Sequence, residues 1–389
     1  MCSDEVVDEE AKIVAGAATL GAVLPVLAQT GGRAMRRIGV LSSNPPSLAA
    51  VVPLWAACLA GMRCRTFGRI AAVLVGAIAI AASAAAAEAQ LSSKQARVAV
   101  LSPFSPSDPG IDAFIGELAR LGWIEGRNLE LSIGFVHGRL ERLPAMAGEL
   151  LRPKPDVIFT PGEHALHAAK KVGTETPIVT VSCDRLDRLI VSLAAPGGTA
   201  TGLSCATGEL AGKRLATLKE LLPSLARAVV LYNSNDPNKR LEFEQLEAAA
   251  ERLRVVVRAL EVVDATGIEE AFAAAASEHA EAMIVLMDAF TIFHRRRIAD
   301  LALEHRLPSV FGFKEFVDAG GLLSYGASRG ALFRRAAAYV DKILNGAKPG
   351  ELPIEEPAIF ELYINRQTAD ALGLTIPPNL LARADEVIE

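Results

Sequence analysis

Arg97-Val-Ala-Val-Leu101, then Ser102-Pro-Phe-Ser-Pro-Ser-Asp-Pro109, then apolar residues at Ile111, Phe114, Ile115, Leu118 and Leu121 ahead of Gly122, decide the fold. A short apolar run, a Pro/Ser loop and a helix-spaced stripe closed by glycine make one strand–loop–helix unit. The unit recurs. Asn128–Ile133 alternates as a strand, and Leu140–Leu151 reads as a helix. Asp156–Thr160 and Ile178–Val181 are uniformly apolar strands on either side of the helix Glu163–Val172. Strands apolar on both faces, alternating with helices, predict a parallel sheet covered on two sides.

The rhythm restarts downstream. Helices at Glu209–Leu222, Lys239–Leu253, Ile268–Ser277 and Phe290–His305 alternate with strands at Ala228–Tyr232, Val255–Leu260, Ala282–Leu286 and Ser309–Phe311. A short helix near Phe316, an amphipathic helix Leu332–Leu344, a Pro/Glu-rich connector Pro349–Pro357, a strand Ile359–Ile364 and a helix Arg366–Leu372 follow. The expected fold class is α/β: two doubly wound parallel-sheet lobes joined by a multi-crossing hinge. Residues 90–203 plus 326–389 are expected to form the N-terminal lobe and 204–325 the C-terminal lobe. Crossings are expected near Thr201–Ser204, Leu323–Gly326 and Leu352–Pro357. Such a hinge leaves a cleft at the carboxyl ends of the strands, where ligands settle in open α/β sheets.

The chain has 389 residues, 51% of them hydrophobic, 22% charged and 5% aromatic, with a formal net charge of −5. This suits a globular α/β protein and excludes a disordered chain. It gives no reason to expect nucleic acid as a partner. Charge is unevenly spread: residues 1–90 hold 13 charged residues, about 14%, against about 24% in the remainder. Arg63, Arg65 and Arg69 after Met62 make a basic n-region, Ile70–Ala82 an apolar h-region, and Ala85-Ala86-Ala87 and Ala87-Glu88-Ala89 offer cleavage sites. Residues 62–89 are therefore expected to be a signal peptide for secretion, with membrane anchoring as the outcome if it is uncleaved. Residues 1–61 are expected to be a spurious extension, since a signal normally opens a chain, or a remnant copy, since Met35-Arg-Arg-Ile-Gly-Val-Leu-Ser42 is similar to Ala96-Arg-Val-Ala-Val-Leu-Ser102, a similarity that chance explains as well.

Cleavage would leave Cys183 and Cys205 as the only cysteines. They can pair in an oxidising compartment, or stay two buried thiols; nothing in the sequence fixes their geometry, which favours free thiols.

Enzyme motifs are missing. No G-x-G-x-x-G follows a strand, Gly208-Glu-Leu-Ala-Gly-Lys213 is one residue short of a P-loop, and Gly321-Leu-Leu-Ser324 is not a nucleophile elbow. His164 and His167 stand three apart with no third ligand, which reads as a solvent-facing first turn rather than a metal site. No catalysis, cofactor or metal is expected.

The loops suit binding. Thr160-Pro161-Gly162-Glu163 joins a strand to a helix whose free amides can take a carboxylate, or is an ordinary capped turn. Asp288 joins another strand to a helix and can hold an ammonium group, or simply cap the helix. Ser102, Phe104, Phe313 and Tyr325 end or follow strands, where the aromatic rings can wall a pocket; singly, each is more often core. Together these groups suit a small zwitterion such as an amino acid.

Ordered segments then carry a resemblance. Arg120-Leu-Gly-Trp-Ile-Glu-Gly-Arg-Asn128, Lys154-Pro-Asp-Val157, Ala195-Pro-Gly-Gly-Thr-Ala-Thr-Gly202, Tyr232-Asn-Ser-Asn-Asp-Pro237, Asp318-Ala-Gly-Gly-Leu-Leu-Ser-Tyr-Gly326, Phe360-Glu-Leu-Tyr-Ile-Asn365 and Ala371–Glu389 occur in sequence. Over about residues 96–389 the chain resembles the ABC-transporter substrate-binding proteins of the TrpX/TrpY-like family. The resemblance implies a type I periplasmic binding protein fold that closes on a small ligand and delivers it to an ABC permease and ATPase. It also implies an aromatic amino acid held by Thr160–Glu163 at its carboxylate and Asp288 at its amine, among Phe104, Phe313 and Tyr325. The family's Ser-Asp-Pro turn after the fourth strand is here Ser182-Cys183-Asp184-Arg185, a loop facing the cleft, so Ser182 and Asp184 join the candidate site. A sensor delivering its ligand state to a membrane signalling partner is the alternative binding role, and an enzyme the more distant one.

Overall fold

The first sheet starts with the apolar run that opens the strand–helix rhythm. A computed structural model describes residues 95–173, 175–183, 192–205 and 207–389. The expected signal peptide (62–89), the expected extension before it (1–61) and Asp184 lie outside the described residues.

Strands β1 (Ala96–Ser102), β2 (Leu129–Phe135), β3 (Val157–Pro161), β4 (Ile178–Ser182) and β5 (Ala200–Ser204) form an all-parallel sheet in the order β2-β1-β3-β4-β5. Its inner strands are buried on both faces, which is why they read as unbroken apolar runs. Helices α1 (Pro109–Arg120) and, from far along the chain, α10 (Arg329–Leu344) pack together on one side. On the other lie α2 (Leu143–Leu151), behind a single 3-10 turn at Leu140–Arg142, and α3 (Glu163–Lys171). Asp108 starts α1 by accepting the Gly110 and Ile111 amides, with Pro109 at the first helical position, where its missing N–H costs nothing.

The second sheet has the order β12-β11-β10-β9-β8-β6-β7. Its strands are β6 (Arg227–Asn233), β7 (Val256–Val262), β8 (Ala282–Val285), β9 (Ser309–Phe311), β10 (Leu323–Ala327), β11 (Phe360–Asn365) and β12 (Glu386–Ile388). All neighbours are parallel except β10 and β11. Helices α4 (Thr207–Leu221), α5 (Pro237–Leu253), α6 (Ala265–Ser277), α7 (Ala289–Phe293), α8 (Arg295–Glu304) and α9 (Lys314–Asp318) belong to this lobe, as do α11 (Arg366–Leu372) and α12 (Pro378–Arg383). Phe290–His305 reads in sequence as one helix but is two, because the chain leaves helical geometry at His294. No helix among the described residues is long and apolar enough to cross a membrane.

The tail corrects the lobe boundaries. Residues 326–389 were expected in the N-terminal lobe, and α10 does pack there. Strands β11 and β12 instead extend the second sheet, because β11 pairs antiparallel with β10 from Leu323↔Ile364 to Ala327↔Phe360. The chain thus crosses between lobes after β5, after β10 and again between Glu355 and Phe360. The segments expected to be the first two crossings are themselves strands. The third runs beside the first, since Ser204 donates to the Glu355 carbonyl and Glu355 to that of Gly202.

Gly202 makes that junction possible. Its φ of +146° lies outside the range ordinary side chains favour, and a Cβ there would land on the Thr180 carbonyl of β4. Gly202→Ala is expected to cost about 2–5 kcal/mol, combining backbone strain with overpacking. Chemical denaturation at pH 7 checks this, and a loss below about 1 kcal/mol would show that the β4–β5 pair yields freely.

Candidate functional site

The carboxyl ends of β3 and β4 face those of β8 and β9 across a cavity of about 40 Å³. Pro161, Gly162, Glu163, His164, Val181, Cys183 and Cys205 line it from the first lobe, with Phe104, Arg329 and Phe333. Met287, Asp288, Ala289, Ile292 and Phe313 line it from the second. Phe104 also lines an outer vestibule of about 310 Å³ with Phe293, Arg295, Arg296 and Glu315. The inner space holds about one water, so anything larger needs the lobes parted or Phe104 turned into the vestibule.

Six of the sequence-predicted site residues meet at this cavity: Phe104, Pro161, Gly162, Glu163, Asp288 and Phe313. Gly162, with φ +104°, is the N-cap of α3 and offers no side-chain cap, so the first-turn amides receive no acceptor from it. Asp288 caps α7 in a capping box: its Oδ1 accepts the Thr291 amide at 2.8 Å while the Thr291 hydroxyl accepts the Asp288 amide. Its Oδ2 accepts from Asn233 Nδ2 at 2.6 Å. Each carboxylate oxygen has a further lone pair, so the cap does not exhaust the group.

Other predicted residues stand elsewhere. Ser102, Thr160 and Ser182 are buried beneath the cavity and do not line it. Ser102 Oγ accepts the Phe104 amide, and Thr160 donates to the Val179 carbonyl, so both serve the strand ends. Tyr325 is a correction. Its half-buried ring packs against the second lobe's core, tilted against Phe360 at 6.4 Å, and no residue of β10 lines the cavity.

Glu163 also behaves differently from its expected place in a carboxylate cradle. Its Oε2 accepts from Asn238 Nδ2 of the other lobe at 2.6 Å, and its Oε1 lies 3.0 Å from His167 Nε2. It therefore ties the lobes together. Among the described residues no group of three or more His, Cys, Asp or Glu side chains could hold a metal.

Two features escaped the sequence reading. Cys183 and Cys205 form a disulfide with Cα atoms 4.5 Å apart, where free thiols were favoured. The pairing follows from β4 lying beside β5, with Ser182↔Ser204 in register, which brings the next residues together. Arg329, at the start of α10, is buried between the rings of Phe104 and Phe333, each 4.5 Å from its Cζ. It donates to Asp108 at 2.9 Å and to Glu315 at 3.3 Å. Burial alone would lower its pKa, but the two carboxylates outweigh that and raise it.

The fold and cleft can be set beside known proteins. The family model described as ABC transporter substrate binding protein matches residues 98–388. The chain belongs to this family. A tyrosine-binding protein of Clostridioides difficile is 22% identical over 269 residues, covering 69% of this chain and 77% of that protein. A conserved domain protein from Vibrio cholerae has a TM-score of 0.71 at 26% identity, covering 76% of this chain and all of that one. An ABC domain in complex with L-Trp from Streptococcus pneumoniae gives the same TM-score and coverages at 23% identity. This ABC transporter substrate-binding protein thus shares the two-lobed type I periplasmic binding fold that its sequence predicts.

Acid should weaken it in two stages. Burial lowers the His294 pKa from 6.5, with the Asp288 charge opposing. Amide hydrogens of Ala226 and Arg227 hold Glu281 below 4.5, and the Arg335 fork does the same for Glu355. All three are depressed in the folded state, so each contributes stability above its unfolded value that is lost as pH falls through the folded one. The urea midpoint is expected to begin falling near pH 6.5 and to drop more steeply below about 4.5. A midpoint unchanged from pH 7 to 4 would contradict both assignments.

Proposed function

We propose that this protein is the extracytoplasmic, periplasmic solute receptor of an ABC importer, binding an amino acid in the interlobe cleft and delivering it to a permease and ATPase. The observation that carries the reading is the meeting, in one cavity, of α3's first turn from one lobe and the Asp288 carboxylate from the other. Phe104 and Phe313 stand beside them. A zwitterion needs an acceptor for its ammonium group and amide donors for its carboxylate, and an aromatic side chain favours ring walls. Asp288 takes the amine, the amides after Gly162 the carboxylate, and the rings the side chain. The tyrosine and tryptophan named for the relatives support an aromatic amino acid. A ligand bridging both lobes stabilises the closed form through contacts that the open form cannot make.

Thermal unfolding of the protein, refolded to strip carried-over ligand, tests this against phenylalanine, tyrosine, tryptophan and small carboxylates. A ligand at a hundred times its dissociation constant adds about 2.7 kcal/mol. A shift with an aromatic amino acid is expected; no shift with any of the three would reject that ligand class.

A further inference from the structure

We infer that the Cys183–Cys205 cystine is a positioning element of the ligand cleft, making ligand affinity dependent on thiol oxidation. This rests on the reading of the cleft as the binding site. Both cysteines line the cavity, so the bond is part of its wall rather than a remote staple. Cys183 follows the last residue of β4 and Cys205 the last of β5. Beside the bond, the Cys205 amide donates to the Ser182 carbonyl at 2.9 Å. Two residues after Cys205 the chain enters α4 of the second lobe.

The other edge of β5 carries the third crossing. Ser204 donates to the Glu355 carbonyl at 2.8 Å, Glu355 donates to the Gly202 carbonyl at 3.1 Å, and the Glu355 carboxylate takes the Arg335 fork at 2.7 and 2.6 Å. A single covalent bond therefore holds the cavity wall to the strand along which two of three interlobe crossings run. With the bond open, the end of β5 keeps only its hydrogen bonds, and both the wall and the hinge gain freedom that ligand must then remove.

Forming the bond removes two electrons and two protons from the thiols, transferred to a disulfide-bearing exchange partner that becomes a dithiol. A dithiol reductant reverses it. The sequence left pairing of Cys183 with Cys205 open and marked Cys183 as a departure from the family's Ser-Asp-Pro turn; the pairing makes that departure functional.

The test uses full-length protein purified without reductant. Non-reducing peptide mapping is expected to find residues 183 and 205 cross-linked, and full alkylation of both would overturn the inference. Calorimetry with L-tryptophan and L-tyrosine at 25 °C is expected to show at least tenfold weaker binding after reduction, with recovery on reoxidation. A Cys183→Ser/Cys205→Ser variant should bind weakly and ignore reductant. In ligand-free protein, hydrogen exchange of peptides covering 200–205 and 354–356 is expected to quicken at least tenfold on reduction, while β6 and β8 stay protected. Unchanged exchange, or equal affinity in both redox states, overturns the inference. If the oxidised protein binds neither amino acid, the ligand assignment fails and the exchange result alone decides.

Discussion

Arg329→Met is expected to lower stability by about 3–5 kcal/mol at neutral pH, the range for breaking a buried ion pair by removing one partner. The side chain is 3% exposed and faces Asp108, 2% exposed, at 2.9 Å and Glu315, 13% exposed, at 3.3 Å. Removing the guanidinium leaves Asp108 with the Gly110 and Ile111 amides and no countercharge in a site closed to water. Lysine should not rescue it, because one ammonium cannot reproduce a planar fork that reaches two carboxylates while stacked between two rings. The pH dependence identifies the cause. A buried carboxylate stripped of its countercharge has its folded pKa raised, so the penalty is fully present above that folded value, is relieved as pH falls through it, and is gone below the unfolded value. The deficit should therefore be smaller at pH 4 than at pH 7 in urea titrations of both proteins. A deficit under about 1 kcal/mol, or one that grows with acid, would overturn the assignment.

Arg329 also stands at the second crossing, just past β10, and joins a first-lobe helix cap to a second-lobe helix. Glu163 and Asn238 join the lobes at another point. The contacts between the lobes thus include charged and polar pairs between residues far apart in sequence, which no local pattern announces.

What could be read in advance follows the same division. The strands of the first sheet, buried on both faces, are continuous apolar runs, and the caps Asp108, Asp236 and Asp264 precede their helices as short-range chemistry requires. Helix positions and the two-lobed plan were accordingly legible. The return of β11 and β12 to the second sheet was not, because strand order is a tertiary choice. Strands β5 and β10, only five residues each, read as hinge segments. Tyr325 was misplaced because a strand-end aromatic gives no sign of which face it takes. The cystine stayed undecided and Arg329 was missed for a related reason: one needs the β4–β5 register, the other a contact spanning 221 residues.

Asp288→Asn is expected to weaken amino-acid binding by about 10- to 100-fold while keeping the cap of α7. The exchange keeps the side chain's shape and one acceptor oxygen, so the Thr291 amide at 2.8 Å can still be capped, but the new NH2 then faces Asn233 Nδ2, itself a donor, where the carboxylate accepted at 2.6 Å. What disappears is the negative charge, and a hydrogen bond to a charged group contributes about 1.5–3 kcal/mol, which spans that range of affinity. Asp288→Ala is the harsher change. It removes the cap and leaves the buried Asn233 Nδ2 without the partner it has at 2.6 Å, adding a stability loss of about 2–4 kcal/mol. Comparing the two separates recognition from folding. If Asp288 holds the ammonium group, the asparagine variant loses affinity while still folded at the titration temperature, and its midpoint falls less than that of the alanine variant. It should also lose discrimination between an amino acid and its deaminated carboxylic acid, since the group that senses the amine is gone. If Asp288 is only a cap, the asparagine variant binds as the parent does and the alanine variant merely unfolds earlier. Calorimetric titration with tyrosine and with its deaminated analogue, beside urea unfolding of all three proteins, distinguishes these outcomes.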